Sequence, residues 1–447
     1  METVAIHGGG AGMSTSTNPV TNTPMNPVIS TATTIQEAVR GAMSPERAPS
    51  DFIATYADFA DVFEMSRQVH EWVAAQLVAS ALNGKVFIKW GAAKYPLDLW
   101  VLLLSGSGQG RNTATDVALE VIGSANIQGL LHKATWGSKV AFYQQVAECP
   151  TGLYVWPELS VALRTLNDPK FGGVKEWITD RYDNLRLPDK IIYRRTGKKT
   201  DTPPIVFDQA PRMNILATSS SDWFINNLEQ ADTLGGFVPR WLPKQVGKSD
   251  RVIPKPVAPN PELLPLLAAQ LASIANLEGA ADLSGIDTQY ANWYGEAKAR
   301  FASQPNSALA DPFFNRLRVE LLKLALIFEA SQSGGLQVGD GAFRRAVAVA
   351  SEAEETIFKL LPSGMTREGS EVERIAEKIR SSGTNGITQS ELTRAFQHCK
   401  SRERDDRVRT LVDAGQIHRV QRSTGGRSET RYIHTDFHKE DRKPSRG

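Results

Sequence analysis

Apolar residues recur at spacings of three and four along residues 59–82, which predicts a helix that Asn83 and Gly84 end. The rhythm then changes. Short apolar runs at 100–104, 153–156 and 213–217 alternate with helical stretches at 114–122, 136–147 and 158–166. Strands that alternate with helices favour a parallel sheet covered by helices on both faces. We therefore predict an α/β core over residues 36–250, including its N-terminal helices.

The segments on either side of this core have other patterns. Residues 1–35 are mostly Gly, Ser, Thr, Asn and Pro, and they predict a disordered tail because they offer little apolar surface to offset ordering entropy. Five prolines between residues 252 and 265 indicate a boundary. Beyond it the pattern is helical at 262–277, 287–302, 311–331 and 339–361, which predicts a helical domain over 251–362.

Residues 371–436 have the order of elements of a winged helix. Thr388 followed three residues later by Glu391 predicts a capping box, and the residues around the Gly-Gly pair at 425–426 alternate as a two-stranded wing would. The predicted third helix carries Arg402, Arg404, Arg407 and Arg409, and the wing carries Arg419, Arg422, Arg427 and Arg431. Such arginines would flank a DNA duplex, although a protein-binding winged helix is the alternative. Residues 437–447 form a basic tail.

The distribution of charge agrees with this prediction. The chain has 447 residues, 51 Lys and Arg, 49 Asp and Glu, and a formal charge of +2. The basic surplus lies beyond Glu371, so a nucleic-acid contact is expected there first. Two cysteines without zinc spacing, no secretory signal and no apolar run of bilayer length predict a cytoplasmic protein with no metal centre and no membrane partner.

A Gly-rich segment joins the predicted strand 100–104 to a helix start, which is the context of a phosphate-binding loop. The predicted nucleotide-binding residues are Ser105, Gly106, Ser107, Gly108, Gln109, Gly110, Arg111, Asn112 and Thr113. The loop departs from GxxxxGK[ST] at Ser105, Arg111 and Asn112. Arg111 keeps the positive charge of the usual lysine, but its larger planar guanidinium is not interchangeable with the lysine ammonium. Thr113 supplies the missing hydroxyl only if the loop is one residue longer, and an ordinary Gly-rich turn is the alternative.

Later strands add candidate catalytic residues. Glu158 follows an apolar strand, where such ATPases carry the glutamate that activates water, but Pro157 stands in place of the magnesium-binding aspartate. Asn214 and Thr218 lie on the next predicted strand and are suited to positioning a water or the terminal phosphate. Arg240 follows a Gly pair, where a ring-forming ATPase presents an arginine to its neighbour's nucleotide.

Together these segments resemble P-loop proteins of phages, plasmids and genomic islands, often described only as a domain of unknown function. Their core is RecA-like or AAA+-like and is related in layout to superfamily 3 and minichromosome-maintenance-type helicases. The strings that carry the resemblance are LWVLLLSGSGQGRNT, YVWPELSVALRTL, WITDRYDN, MNILATSSSDWF, GGFVPRWL and LRVELLKLALIFEA, and they cover about residues 50–360.

The resemblance implies roles for individual residues. Arg111 and Glu158 match the nucleotide-binding Lys and catalytic Glu positions, Asn214 or Thr218 the sensor, and Arg240 the arginine finger. ATP and Mg²⁺ are the implied cofactors. The implied partners are DNA, further copies of the chain in a homo-oligomer such as a hexamer, and a separate primase.

A basic segment between the Glu158 helix and the 213–217 strand is a further candidate DNA contact. It contains Arg194, Arg195, Lys198 and Lys199 between two apolar stretches. Ring helicases of this layout project a hairpin from here into the central channel, where it holds the DNA backbone. A solvated surface hairpin is the alternative.

Three functions are consistent with these patterns. The first is a DNA-dependent ATPase or helicase of mobile-element replication, and the second is a non-hydrolysing initiator or helicase loader. The third, a winged-helix transcriptional regulator, leaves more than 300 residues unexplained. Asp180 and Asp183 are an alternative metal-binding pair, although carboxylates three residues apart are usually surface groups.

Overall fold

The computed structural model describes residues 51–106, 110–127, 129–133, 137–184, 190–191, 204–228, 232–233, 235–361, 367–397, 399–424 and 427–438. The predicted N-terminal tail and most of the predicted basic tail lie outside these ranges. The helices and strands up to residue 250 are α1 (Phe52–Ala60), α2 (Arg67–Leu82), β1 (Val86–Trp90), β2 (Ala93–Pro96), β3 (Trp100–Leu104), α3 (Arg111–Ala125), β4 (Leu131–Lys133), α4 (Lys139–Glu148), β5 (Thr151–Trp156), α5 (Leu159–Asn167), α6 (Val174–Arg181), β6 (Lys190–Ile191), β7 (Ile205–Val206), β8 (Arg212–Ser219), α7 (Ser221–Asn226) and β9 (Trp241–Gln245).

The later elements are mostly helices. They are α8 (Leu263–Ala275), β10 (Gly279–Ala281), α9 (Asp287–Ala302), α10 (Ser307–Ser333), α11 (Asp340–Leu360), α12 (Arg367–Arg380), β11 (Ile387–Thr388), α13 (Gln389–Ala395), α14 (Ser401–Asp413), β12 (Ile417–Thr424) and β13 (Arg427–His434). The four predicted helices of the 251–362 segment correspond to α8, α9, α10 and α11. The strand β10 was not predicted.

The predicted helix 59–82 is wrong at its start. The chain forms two helices instead, and α1 ends at Ala60 while α2 begins at Arg67. Ser66 has an extended backbone at the start of α2, with φ −64° and ψ 145°, so the helix cannot continue through it. Apolar spacing alone did not reveal this interruption, because Phe59 and Val62 fit the same periodicity as α2.

The largest sheet has five strands in the order β4-β5-β8-β3-β9, and every neighbouring pair is parallel. All residues of β3 and β8 are buried. Continuous apolar strands are typical of parallel sheets, because helices cover both of their faces. The predicted parallel sheet with helices around it is therefore confirmed.

The order of the strands creates a reversal beside β3. The chain passes from β3 to the far edge at β4, returns through β5 and β8, and then crosses to β9 on the other side of β3. The connection that follows β3 and the connection that follows β8 therefore run in opposite directions across the sheet. In open α/β sheets, ligands bind in the crevice at the carboxyl ends of strands where the order reverses.

The sheet and the helical segment share one hydrophobic core, which extends from Phe52 to Leu361. Helix α10 packs against α1, α2 and α11, and α8 packs against α2 and α3. Strand β10 also pairs in parallel with β1. The proline-rich segment thus separates two stretches of sequence without separating two cores, because α10 is buried around most of its circumference.

The C-terminal unit has its own core, formed by residues between Ile375 and Tyr432. Three helices, α12 to α14, pack with an antiparallel sheet in the order β11-β13-β12. The capping box at Thr388 and Glu391 is confirmed, with hydrogen bonds in both directions. Strands β12 and β13 form a hairpin, in which Ile417 pairs with His434 at one end and Thr424 pairs with Arg427 at the other.

Candidate functional site

The Gly-rich loop begins where β3 ends, at the reversal of strand order. The Ser105 backbone N–H donates to the Ser219 carbonyl of β8 at 3.0 Å, so the loop starts between two adjacent strand ends. Gly110 caps α3 with φ +73°, a left-handed conformation that glycine adopts without strain. Helix α3 has no acidic residue in its first turn. Its first backbone N–H groups are therefore suited to an anion.

Three of the predicted loop residues, Ser107, Gly108 and Gln109, lie outside the described residues, as does the side chain of Arg111. Asn112 is exposed, whereas Thr113 is half-buried and borders a groove together with Gly110. Of these two residues at the start of α3, Thr113 is therefore the one that lines this groove.

The groove is a feature that the sequence did not indicate. Its volume is about 600 Å³, within the range typical of small-molecule sites. One wall is the turn between α1 and α2, a second is the start of α3, and the third is the segment after β9. Its lining includes Phe63, Met65, Gly110, Thr113, Lys248 and Pro254. Because these walls come from distant parts of the chain, no local motif predicts the groove.

The segment after β9 is fixed across the groove by polar contacts. The Arg251 guanidinium contacts the Asp61 carboxylate at 2.7 Å. The Ile253 N–H donates to Glu64 Oε1 at 2.9 Å, and the Ser249 hydroxyl donates to the Glu64 carbonyl. Lys248 immediately precedes these anchors with an exposed side chain, and it has no ion-pair partner in the described part of the chain.

Glu158 lies at the same edge of the sheet, after β5 and at the start of α5. Its Oε1 atom accepts hydrogen bonds from the Ser219 hydroxyl at 2.5 Å, the Ser160 hydroxyl at 2.8 Å and the Ser160 N–H at 3.3 Å. The Thr218 hydroxyl donates to the Pro157 carbonyl beside it. The structure thus brings Glu158 and Thr218 together at the end of β8, next to the first residue of the loop.

Asn214 does not join this group. It lies five residues before Ser219 on β8, which is about 16 Å along an extended strand. Its side-chain oxygen accepts the Leu99 N–H at 2.6 Å inside the core. Because a fully buried side chain near the start of the strand cannot reach the strand's carboxyl end, Thr218 is the better placed of the two predicted sensor residues.

Arg240 also lies away from the loop. It immediately precedes β9, whose first residue, Trp241, pairs with the first residue of β3. Its guanidinium donates to the Gly236 carbonyl at 2.5 Å and lies over the Tyr182 ring at 5.9 Å. Burial lowers the pKa of Arg240 to about 10. Within one chain, Arg240 therefore lies at the amino edge of the sheet, opposite the loop.

The amino edge also contains a buried ionic network. Lys323 of α10 is fully buried, and its Nζ atom lies 2.6 Å from the Asp98 carbonyl, 2.7 Å from Asp183 Oδ1 and 3.1 Å from Glu320 Oε1. Arg212 contacts the Asp98 carboxylate at 3.2 Å. Burial raises the pKa of Glu320, and it raises the pKa of Asp98 to about 6.

This network accounts for one of the two carboxylates considered as metal ligands. Asp183 is paired with Lys323 and, at 3.5 Å, with Arg316, while Asp180 is exposed. Within the described ranges, His, Cys, Asp and Glu side chains form no cluster of three that could hold a metal ion. Asp183 is therefore best explained as a structural ion-pair partner.

The predicted DNA-binding arginines of α14 divide into two pairs. Arg404 is buried and donates to the Ser401 hydroxyl at 3.1 Å, and Arg407 pairs with Glu371 of α12. Both side chains thus face the interior of the C-terminal unit rather than a ligand. Arg402 and Arg409 are exposed. Arg404 precedes the buried Val408 and Leu411 by four and seven residues, so helical periodicity puts it on the inward face, and the count of arginines alone does not show this division.

The hairpin arginines are more accessible. Arg419 and Arg422 are exposed on β12, whereas Arg431 on β13 pairs with Glu429 at 2.9 Å. The side chain of Arg427 lies outside the described residues. So do Arg194, Arg195, Lys198 and Lys199. The short strands β6 and β7 pair on either side of that basic segment, as the base of the predicted hairpin requires.

No protein-family model matches the chain, and no curated protein matches it in sequence. In the part of the chain that the structure describes, every helix lacks the combination of length and apolar character needed to cross a bilayer.

Proposed function

We propose that this protein binds a nucleoside triphosphate at the carboxyl edge of its parallel sheet and binds DNA through a C-terminal winged helix. The single observation that carries the proposal is the position of the Gly-rich loop. The loop follows β3 at the reversal of strand order. Glu158 lies at the same edge of the sheet, where the Ser219 hydroxyl of β8 donates to it. By resemblance, the protein is a RecA-like or AAA+-like component of mobile-element DNA replication.

The local geometry fits the phosphates of a nucleotide. Backbone N–H groups at the start of α3 and the positive end of the helix dipole favour an anion beside Gly110. The adjoining groove is large enough for a base and ribose, and Lys248 would supply a positive charge at its rim. ATP is the nucleotide that the resemblance implies.

The residues do not fit a conventional magnesium site. Asn112 and Pro157 stand where the metal-binding hydroxyl and carboxylate belong, and Glu158 is already hydrogen-bonded to two hydroxyls. Glu158 is the residue suited to accept a proton from an attacking water. The same substitutions favour a second function, in which the nucleotide is bound without turnover by an initiator or helicase loader.

A role for Arg240 requires assembly. The length of β9 separates it from the carboxyl edge, so it would contact only the nucleotide of a neighbouring copy. We therefore propose a homo-oligomer, and a hexameric ring is the form that the resemblance implies. In such a ring, Arg240 would stabilise charge on the phosphates of the adjacent site.

The decisive experiment measures ATP hydrolysis by the purified protein, with and without single-stranded DNA. It compares wild type with Glu158→Gln and with Glu148→Gln, an exposed control at the end of α4. Binding of a fluorescent ATP analogue and of DNA is measured on the same preparations.

Each result assigns one function. DNA-stimulated turnover that only Glu158→Gln abolishes would establish a motor. Nucleotide and DNA binding without turnover would establish the second function, a non-hydrolysing initiator or helicase loader. DNA binding with no affinity for any nucleoside triphosphate would overturn the nucleotide site and leave the transcriptional regulator as the remaining function.

A further inference from the structure

We propose that the C-terminal unit holds DNA along its edge strand β12, through Arg419 and Arg422, and not by inserting helix α14 into the major groove. Third-helix insertion is the usual geometry of helix-turn-helix proteins and their relatives. This inference rests on the proposed DNA-binding function and specifies which surface carries it and what that surface can recognise.

Helix α14 is poor in available positive charge. It contains four arginines and four carboxylates. Arg404 is 5% exposed and its Nε atom lies 3.8 Å from the Asp405 carboxylate, while Arg407 is paired with Glu371. Arg407 thus links α14 to α12, whereas Arg404 is held by contacts within α14, and both arginines are engaged inside the protein. They are therefore unable to neutralise the phosphates of a duplex without breaking contacts within the protein.

The charges that remain exposed on α14 are mostly negative. Arg402 and Arg409 are exposed, and Arg409 lies 3.4 Å from Asp406. The exposed carboxylates are Glu403, Asp405, Asp406 and Asp413. A surface with four carboxylates and two arginines repels a polyanion, so insertion of this helix into a DNA groove would be electrostatically unfavourable.

Strand β12 has the opposite character. It contains no carboxylate, and both Arg419 and Arg422 are exposed. Ile417 is buried, so alternation along the strand puts Arg419 on the core-facing side and Arg422 on the other. Because β12 is at the edge of its sheet, side chains from both faces can reach a ligand that lies along that edge.

The surroundings of the two arginines leave them available. Arg419 borders a cleft of about 420 Å³ between the hairpin and α14, and Asp405 and Arg409 of α14 line the same cleft. Arg422 donates to the neutral Thr384 carbonyl at 3.3 Å, and it lies opposite Glu429 in the hairpin, a carboxylate that is paired with Arg431. On the central strand β13, by contrast, Arg431 is neutralised by Glu429.

Phosphate contacts from a strand edge position a protein on DNA without reading its bases. The proposed surface therefore predicts binding that depends strongly on salt and little on sequence. For duplex DNA, each lost phosphate contact lowers the slope of log affinity against log salt concentration by about 0.9.

The test uses the full-length protein and fluorescently labelled duplexes of two unrelated sequences, with anisotropy measured over a range of salt concentrations. Arg419→Gln/Arg422→Gln is compared with Arg402→Gln/Arg409→Gln. Both double variants remove two exposed positive charges, so the comparison is matched in net charge. Circular dichroism and thermal melting establish that both variants fold like wild type.

We expect the β12 variant to weaken binding by about 10-fold or more and to lower the salt slope by about 2. We expect the α14 variant to change affinity by less than about 3-fold, with similar affinities for the two sequences. A larger effect of the α14 variant, or strong sequence preference, would overturn this surface and restore helix insertion. Absence of DNA binding by wild type would overturn the DNA-binding function itself, and this surface with it.

Discussion

The two edges of the parallel sheet differ in how their polar groups are compensated. At the amino edge, Asp98, Asp183 and Lys323 are buried or nearly so and are paired with one another or with arginines. At the carboxyl edge, Glu158 is half-buried, the Gly-rich loop has no acidic neighbour at the start of α3, and Lys248 is exposed. Both edges carry polar groups, but the carboxyl edge is the one that combines helix N-terminal N–H groups with an exposed lysine beside a groove.

This difference shows why a shifted pKa alone is a poor guide to a functional site. The raised pKa values of Asp98 and Glu320 arise from burial in the junction between the sheet and α10. Structural ion-pair networks shift pKa values as active sites do. The arrangement of backbone N–H groups and hydroxyls around β3 and β8 is the stronger indication of a site.

The largest predicted effect is at the centre of the amino-edge network. Lys323→Met leaves Glu320 buried without a cation and leaves Asp183 with only the 3.5 Å contact to Arg316, so we expect the free energy of unfolding to fall by about 3–5 kcal/mol. Chemical denaturation of wild type and variant measures the change. Lys298→Met, at an exposed position of α9, is the matched control and is expected to be near neutral. Equal effects of the two variants would mean that the network is not structurally essential.

The second prediction concerns Asp98 and pH. Burial raises its pKa from an ordinary value near 4 to about 6, so the folded state binds the proton more tightly than the unfolded chain does. Its contribution to stability is therefore complete below the unfolded pKa and is lost as pH rises from about 4 to about 6. We expect a slope of at most about 1.4 kcal/mol per pH unit from this residue.

The measurement compares urea unfolding of wild type and Asp98→Asn across that pH range. The difference in stability between the two proteins should shift in favour of the variant as pH rises, whatever the constant cost of the substitution. Parallel curves would show that Asp98 does not titrate in this window.

The third prediction moves to the carboxyl edge. Gly110→Ala places a methyl group on a left-handed residue and 3.4 Å from Met65 Cε, so we expect a loss of about 1–2 kcal/mol in stability. Affinity for a fluorescent ATP analogue should fall by about 10-fold, since the first turn of α3 presents its N–H groups to the phosphates. Gly123→Ala, inside α3 with open space around it, is the control and should stabilise slightly. Unchanged nucleotide affinity in Gly110→Ala would argue against phosphate binding at this helix.

The smallest expected effect is that of Lys248. Its exposed side chain has no ion-pair partner among the described residues, so Lys248→Ala should leave the unfolding free energy within about 0.5 kcal/mol of wild type. We expect a loss of nucleotide affinity of about 3-fold to 10-fold, in keeping with one partly solvated charge pair. Lys255→Ala, exposed a few residues away, is the control, and an equal effect there would indicate general electrostatics rather than a specific contact.

Much of the fold follows from local patterns. The strands β3, β5 and β8 were predictable because buried parallel strands are continuously apolar, and the Thr388 capping box because its two partners are three residues apart. The loop after β3 and the position of Glu158 were predictable for the same reason. Each depends on a short stretch of chain next to a strand end.

The remainder depends on contacts between distant residues. The groove joins the turn at Phe63 to the segment around Lys248, and the Asp98–Lys323 contact spans 225 residues. No periodicity along the chain encodes such pairs. In α14 the spacing of Arg404 from Val408 and Leu411 indicates its inward direction, whereas the Arg407–Glu371 pair joins two helices and has no local signal.

The continuous core from Phe52 to Leu361 has a mechanical consequence. Sheet and helices that share packed side chains, with Lys323 fixed between them, move together as one rigid block. A hinge between them would expose apolar surface and break the ion pairs at once. If nucleotide binding moves parts of this protein, we expect the C-terminal unit to move relative to that block, because the C-terminal unit has a separate core. Such a movement would change the position of the C-terminal unit relative to the sheet and its helices.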